Sequence, residues 1–209
     1  MQPKAGGLIL AGGQSRRMGR DKAALRFGVE SLLARAIRHM QPVASPIVVS
    51  LAPQQAPDPK IDSAGIVYVR DEQAYGGPLP GMVRGFHALA ALERPPQAVV
   101  IMPVDLPFYT PEWMLRALEG LRGHRACLYR HEGFINALVG AYDLALLPKL
   151  DRLVALPRAR PLNLSEGEPT YIIDVETVWQ AGTGLLPPLM DTDTPEDYAA
   201  ALALAGLSA

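Results

Sequence analysis

Leu8-Ile9-Leu10-Ala11-Gly12-Gly13-Gln14-Ser15-Arg16-Arg17-Met18-Gly19-Arg20-Asp21-Lys22 is the stretch that decides the fold. It opens with a short apolar run, residues 7–10, which predicts a buried parallel strand. The run ends at adjacent glycines, where the backbone can turn sharply and a ligand can lie directly against it. Successive backbone N–H groups in such a turn bind anions. The stretch then supplies four cations, which together with the glycines favour a bound polyphosphate: Arg16, Arg17, Arg20 and Lys22.

Two other interpretations of this stretch are weaker. A plain basic surface loop does not need a Gly-Gly pair directly after a buried strand. The dinucleotide fingerprint G-x-G-x-x-G is absent because Gly12 and Gly13 are adjacent. The Walker pattern is also absent, because Lys22 follows Asp21 rather than a glycine.

Short β-type runs alternate with amphipathic helical segments along the rest of the chain. This alternation predicts an α/β fold, a Rossmann-like three-layer sandwich in which a mostly parallel sheet carries helices on both faces. The residues fit one domain, 1–209, because no linker divides them. Further strands are expected at 47–49, 66–69, 98–102, 126–129, 137–142 and 170–175. Helices are expected after the caps Ser31, Thr110 and Thr194, from Met82, and at 144–153.

Composition narrows the class of protein. The net charge is −1 and basic residues are spread along the 209-residue chain, which argues against a nucleic-acid-binding surface. The single cysteine, Cys127, excludes an internal disulfide, and its apolar neighbours predict a buried core position. Neither a signal peptide nor an apolar run of membrane-spanning length is visible. We therefore expect a cytoplasmic protein, monomeric or weakly homo-oligomeric, that contacts neither nucleic acid nor membrane.

Polar residues follow the first four strands at their carboxyl ends, where open α/β sheets bind ligands. The glycine loop follows the first strand, Ser50 the second, Asp71 the third and Asp105 the fourth. Any one of these acids could instead be a helix cap. Asp105 is the best metal candidate, because Mg²⁺ prefers one or two carboxylates together with water and substrate phosphates. Pro103 and Pro107 flank it and stiffen its loop.

Asp193 is the second metal candidate. It lies in Asp191-Thr192-Asp193-Thr194-Pro195, just before a segment that resembles a capping box. An acid at this position could equally serve only to cap the helix. The sequence therefore leaves both roles open for Asp193.

The pattern Leu-Ala-Gly-Gly-x-Ser-x-Arg-Met-Gly-x-Asp-Lys resembles the signature loop of nucleotidyltransferases with a Rossmann-like sheet. Its Gly-Gly form, with Arg-Arg-Met-Gly and Asp-Lys, is most similar to the molybdenum cofactor guanylyltransferases. Pro-Val-Asp-Leu-Pro around Asp105 is similar to the metal-binding motif of that family. The segment around Asp193 has Asp where the guanylyltransferases usually have Asn, a form closer to the related cytidylyltransferases.

The resemblance also implies roles for individual residues. Nucleotide binding is implied for the loop backbone, for Lys22 on the triphosphate and for Asp71. Ser50 stands where the family often has Asn, and its hydroxyl could also bond the nucleotide. The full set of expected nucleotide contacts is Leu10, Ala11, Gly12, Gly13, Lys22, Ser50, Asp71 and Asp105. The partners implied are GTP and a molybdopterin-type acceptor, with Mg²⁺ as cofactor.

The mechanism that suits these residues is attack by an acceptor phosphate on the α-phosphorus of a nucleoside triphosphate, with loss of pyrophosphate. Lys22 and Arg16 would hold the β and γ phosphates, and Mg²⁺ on Asp105 would neutralise charge. Three functions stay open at this point. They are guanylyl transfer to molybdopterin, a related transfer that uses CTP or activates a sugar or alcohol phosphate, and nucleotide binding without catalysis.

Overall fold

The computed structural model describes residues 5–12, 21–71, 77–179 and 187–208. The strands are β1 Ala5–Leu10, β2 Arg26–Phe27, β3 Glu30–Ser31, β4 Ile47–Leu51, β5 Ile66–Arg70, β6 Ala98–Pro103, β7 Ala126–His131, β8 Phe134–Asp143 and β9 Thr170–Asp174. The α-helices are α1 Leu32–Met40, α2 Pro78–Ala90, α3 Pro111–Gly120, α4 Leu147–Val154, α5 Val175–Val178 and α6 Pro195–Leu204. Short 3₁₀ turns cover Lys22–Ala24, Leu144–Leu146 and Pro161–Leu164.

Seven strands form one sheet in the order β5-β4-β1-β6-β8-β7-β9, and β2 and β3 form a small separate hairpin. Strand β8 runs antiparallel to both of its neighbours, and every other pair in the large sheet is parallel. The α/β prediction with a mostly parallel sheet is therefore confirmed. From β1 the chain moves outward to β4 and β5, then crosses back to β6 on the other side of β1. The carboxyl ends of β1 and β6 thus border the crevice in which sheets of this kind bind ligands.

Helices cover both faces of the sheet because successive strand residues point to opposite sides. On β1, Ile9 packs into the core with α1, α3 and α6, whereas Leu8 packs into the core with α2 and α4. Both side chains have no exposed surface. Cys127 is buried in the first of these cores, as expected, and burial raises the pKa of its thiol to about 12.

The predicted helix starts at Ser31, Thr110 and Thr194 are confirmed. The Ser31 hydroxyl accepts a hydrogen bond from the Ala34 amide at 3.2 Å, and Thr194 forms a capping box with Asp197. Helix α2 begins earlier than Met82, at Pro78, because proline is compatible with the first helical turn. The segment 144–153 divides into a 3₁₀ turn and α4, whose first turn contains Pro148.

Three predicted strands, 47–49, 126–129 and 137–142, were too short at one end or both. Strand β4 continues through Leu51, so Ser50 lies inside the strand rather than after it. Strand β7 continues to His131 rather than ending at 129, and β8 begins at Phe134 rather than at 137. The turn between them is therefore only Glu132 and Gly133, whose φ angles are 49° and 80°. Arg130 and His131 look like turn residues in the sequence because they are charged or polar. Both stay in β7, where the Asp174 carboxylate pairs with Arg130 and the Glu176 carboxylate bonds His131.

Within the described ranges, no helix is long and apolar enough to cross a membrane.

Candidate active site

The main chain that follows β1 is hydrogen-bonded to β4. The amides of Ala11 and Gly12 both donate to the carbonyl of Ser50 at 2.9 Å. A Cβ on Gly12 would lie 2.7 Å from the Ala52 nitrogen, so only glycine fits this close approach. The expected nucleotide segment at residues 10–12 therefore sits at the carboxyl edge of the sheet, as predicted. Gly13 and Arg16, also expected in the site, lie outside the described residues.

Ser50 and Asp71 occupy the same edge but differ in what their side chains contact. The Ser50 side chain is 2% exposed and faces the first turn of α2, where a Cβ on Gly81 would meet its Oγ at 2.7 Å. Asp71 follows β5, and its Oδ1 lies 3.8 Å from Nε of Arg84. That oxygen is buried and makes no hydrogen bond to any described residue. Burial raises the pKa of Asp71, and the Arg84 charge offsets part of the rise.

Lys22, Asp105 and Asp193 converge at one point although they are far apart in the chain. The Lys22 Nζ donates to Oδ2 of Asp105 at 3.0 Å and makes a short contact with Oδ1 of Asp193. Lys22 and Asp105 each expose 17% of the side chain and Asp193 exposes 44%. The ammonium group therefore stands between two carboxylates that the sequence had offered separately.

In this cluster, formed by residues 22, 105 and 193, each side chain affects the pKa of its neighbours. Burial alone would lower the pKa of Lys22, but its bonds to both carboxylates outweigh that effect, so the pKa is raised. Burial raises the pKa of Asp105, Lys22 opposes the rise, and the Asp193 charge adds to it. Two carboxylates this close are stabilised by a cation between them.

This arrangement fits a divalent cation. Mg²⁺ is held in proteins by one or two carboxylates, with water and substrate phosphates as its other ligands. Asp105 and Asp193 supply two carboxylates that already share one positive charge, that of Lys22. No group of three or more His, Cys, Asp or Glu side chains among the described residues could form a cage made only of protein ligands. Two carboxylates would leave the other ligand positions of such an ion to water and to substrate phosphates.

Asp191, the other acid in this segment, has a supporting role. It is exposed, and its Oδ1 accepts a hydrogen bond from the Asp193 amide at 3.2 Å. Thr192 between them is fully buried, and its hydroxyl donates to the Asp105 carbonyl at 3.4 Å. The segment is therefore attached to the Asp105 loop by the Thr192 hydroxyl as well as by Lys22.

Gln55 helps to position the turn that carries Lys22, and the sequence analysis did not identify it. Its Nε2 lies 3.0 Å from both carboxylate oxygens of Asp21, and its Oε1 accepts from the Ala52 amide at 3.1 Å. Asp21 in turn caps the turn that carries Lys22, by accepting from the Ala23 amide at 3.0 Å. Gln55 thus ties the lysine turn to the end of β4. Its position in a proline-rich loop gave no signal of this, because polar residues in such loops are usually solvated.

Comparison with known proteins shows the family and the fold of this chain. The family model of the MobA-like NTP transferase domain matches residues 7–166. A probable molybdenum cofactor guanylyltransferase of Mycobacterium avium strain 104 is 36% identical over 152 residues, 71% of this chain and 74% of the relative. The structure of molybdopterin-guanine dinucleotide biosynthesis protein A from Archaeoglobus fulgidus has a TM-score of 0.70 at 19% identity, covering 96% of this chain and 98% of that one. A Mycobacterium tuberculosis H37Rv protein, solved as a complex with manganese, has a TM-score of 0.65 at 19% identity, covering 97% and 100%.

Proposed function

We propose that this chain, which belongs to the MobA-like NTP transferase family, transfers GMP from GTP to the phosphate of a molybdopterin-type acceptor. Members of this family are nucleotidyltransferases, and the names of the curated relatives support the guanylyl donor and the acceptor. The observation that carries the proposal is the position of Lys22 between Asp105 and Asp193 at the carboxyl edge of the sheet. A phosphate chain that lies along the carboxyl edge of the sheet past residues 11–12 would end beside this cluster.

The reaction needs charge neutralisation more than acid–base chemistry. An oxygen of the acceptor phosphate attacks the α-phosphorus and forms the new P–O bond, while the bond from the α-phosphorus to the bridging oxygen breaks and pyrophosphate leaves. A phosphate monoester is already largely ionised at neutral pH, so no residue has to remove a proton. Lys22 donates to the phosphate oxygens that gain charge, and Arg16 completes this role in the proposal.

Asp105 and Asp193 would hold Mg²⁺ against the phosphates, and the bound ion would spread the developing negative charge. The manganese complex of the Mycobacterium tuberculosis neighbour supports a divalent ion in this fold. Lys22 would then turn from the two carboxylates to the nucleotide phosphates. The two ion pairs of Lys22 would thereby be replaced by a bond from Lys22 to phosphate and by the metal between the carboxylates and phosphate.

The remaining nucleotide contacts belong to the proposal as well. Residues 10–13 would line the nucleotide with their main chain, and Asp71 has a buried oxygen that a sugar hydroxyl or base N–H could satisfy. Ser50 contributes through its carbonyl, which positions the loop, and its side chain stays a predicted contact. The single domain, the monomeric or weakly oligomeric state and the cytoplasmic location also stay predictions.

Pyrophosphate release from GTP in the presence of molybdopterin and Mg²⁺ tests this function. We expect release that requires all three components, with guanine dinucleotide as the second product. Thermal stabilisation by GTP, compared with CTP, ATP and UTP, tests the donor. Stabilisation by CTP alone would favour the related cytidylyl transfer, and binding of GTP without pyrophosphate release would favour a nucleotide-binding module.

A further inference from the structure

Helix α1 contacts the loop that carries Asp105 through two of its side chains. Arg35 and His39 lie four residues apart on α1, so their side chains are neighbours on one face of the helix. The Arg35 Nε donates to the Pro107 carbonyl at 2.7 Å, and the His39 Nδ1 lies 3.2 Å from the Tyr109 carbonyl. The loop is therefore attached to α1 two and four residues after Asp105.

The Arg35 guanidinium also contacts the hairpin that follows Lys22. Its Cζ lies 4.9 Å from the centroid of the Phe27 ring, within the range of a cation–π contact. Phe27 lies on β2, and its ring meets the Phe108 ring edge-on at a centroid distance of 5.8 Å. Both rings are at most 2% exposed. Arg35 and Phe27 together thus join this hairpin to the Asp105 loop.

Backbone hydrogen bonds connect the lysine turn to the start of α1. The amide of Leu25 donates to the Lys22 carbonyl at 3.1 Å, and the amide of Leu32 donates to the Leu25 carbonyl at 2.9 Å. Leu32 is the first residue of α1. The helix that carries Arg35 is therefore attached both to the turn that carries Lys22 and to the loop that carries Asp105.

The Glu30 carboxylate fixes the orientation of the Arg35 guanidinium. Its Oε1 accepts from Nη1 of Arg35 at 3.2 Å and from Nη2 of Arg38 at 2.7 Å. Arg35 exposes 20% of its side chain, whereas Arg38 exposes 54%. Among the described residues, Arg38 makes no hydrogen bond to the Asp105 loop. Arg38 therefore shares the carboxylate partner of Arg35 but not its contact with the loop, and it offers a matched control.

From these contacts we infer that Arg35 is a positioning residue, which keeps Asp105 in place relative to Lys22 when a nucleotide is bound. This inference rests on the proposed function, in which Lys22 turns from the carboxylates to the phosphates. The 3.0 Å ion pair between Lys22 and Asp105 would then no longer connect the lysine turn to the Asp105 loop. The contacts of Arg35 involve neither of these side chains, so they persist through the exchange and keep the Asp105 carboxylate facing the phosphates.

The first test measures amide hydrogen exchange in nucleotide-free protein, so its result does not depend on the reaction. Arg35→Met removes the charged donor but keeps a long apolar side chain over Phe27, and Arg38→Met is the matched control. A hydrogen bond from a charged donor contributes enough that its loss should speed local opening about tenfold. We expect exchange of residues 104–109 to accelerate by about that factor in Arg35→Met and to stay at the wild-type rate in Arg38→Met.

The second test measures pyrophosphate release from GTP with molybdopterin and Mg²⁺, at a temperature at which every variant is folded. Misplacement of a reacting group by about 1 Å can cost about 10²-fold in rate. We therefore expect Arg35→Met to lower kcat at least about tenfold. Arg35→Lys should recover part of the loss because it keeps a charged donor, and Arg38→Met should keep the wild-type kcat. A merely stabilising role of Arg35 would lower the melting temperature and leave the kcat of the folded protein unchanged.

Arg35→Gln is a second loss variant, expected to behave like Arg35→Met, so the tests do not depend on the folding of one substitution. Wild-type exchange of residues 104–109 in the loss variants would overturn the role of Arg35. An unchanged kcat in these variants, or an equal loss in Arg38→Met, would overturn it too. Faster exchange in the loss variants of a protein that releases no pyrophosphate would instead reject guanylyl transfer and leave the attachment of the loop by Arg35 standing.

Discussion

Replacing Asp105 by asparagine tests the centre of the proposed site. Asparagine keeps the size of the side chain but removes one of the two carboxylates that contact Lys22. The carboxylate removed is the one whose Oδ2 lies 3.0 Å from the Lys22 Nζ, and the carboxylate of Asp193 remains. We expect kcat for pyrophosphate release to fall about 10³-fold. Removal of one preorganised electrostatic partner typically costs about 10² to 10³ in kcat. The upper end applies because Asp105 both orients Lys22 and supplies half of the carboxylate charge available to a metal.

The same substitution should leave the fold intact, because Lys22 keeps Asp193 and the asparagine oxygen can still accept a hydrogen bond. A change in unfolding free energy of about 1 kcal/mol or less corresponds to a melting shift of no more than about 4 °C for a chain of this size. The assay combines single-turnover pyrophosphate release, titrated with Mg²⁺, and thermal melting of the same sample.

Asp143→Asn is the matched control. Asp143 also forms a partly buried ion pair, with Arg125 at 2.7 Å, but it lies opposite Ala98 at the other end of the sheet. We expect its kcat to equal that of wild type. The reasoning is refuted if Asp105→Asn keeps more than about a tenth of the wild-type kcat, or if the control loses as much.

Three further predictions concern groups around the site and in the core. Gln55→Glu places a carboxylate against Asp21, so we expect the GTP KM to rise several-fold and the defect to shrink as salt increases; equal KM values at low salt would count against a positioning role. His39 bonds the Tyr109 carbonyl at 3.2 Å, and burial together with two nearby arginines lowers its pKa. The unfolded chain therefore binds the proton first, so stability should fall as the pH drops below about 6.5, and His39→Gln should flatten that dependence in urea titrations. Ser31→Ala removes the α1 cap and should lower the unfolding free energy by about 1 kcal/mol, measured by thermal melting. Ser31→Asp should retain most of the stability that the cap contributes.

Local chemistry made much of the architecture predictable. The apolar run ending at Gly12 identified β1, and the hydroxyl caps at Ser31 and Thr194 identified two helix starts. Each of these features depends on three or four consecutive residues, so it can be recognised without knowing the rest of the fold. Asp105 was found for the same reason, since it directly follows a fully apolar strand whose carboxyl end must lie at the edge of the sheet.

Contacts between residues far apart in the chain, and the direction of one strand, could not be predicted from the sequence. The sequence left open whether Asp193 is a metal ligand or only a helix cap, and its contact with Lys22, 171 residues away in the chain, is visible only in the fold. Gln55 gave no signal, because its two partners come from separate loops. The antiparallel direction of β8 could not be predicted either, because an apolar strand has the same residue pattern in either direction when both of its faces are buried.

The sequence by itself determined which residues bear the chemistry: a glycine loop for phosphate, a lysine for its charge, and an aspartate beyond a buried strand. Periodicity and side-chain chemistry are properties of a few consecutive residues, so they survive without the fold. Only the tertiary structure decided which of these groups meet. The path of the chain between β1 and α6 brings Lys22, Asp105 and Asp193 to one point, and that path depends on the packing of both faces of the sheet at once.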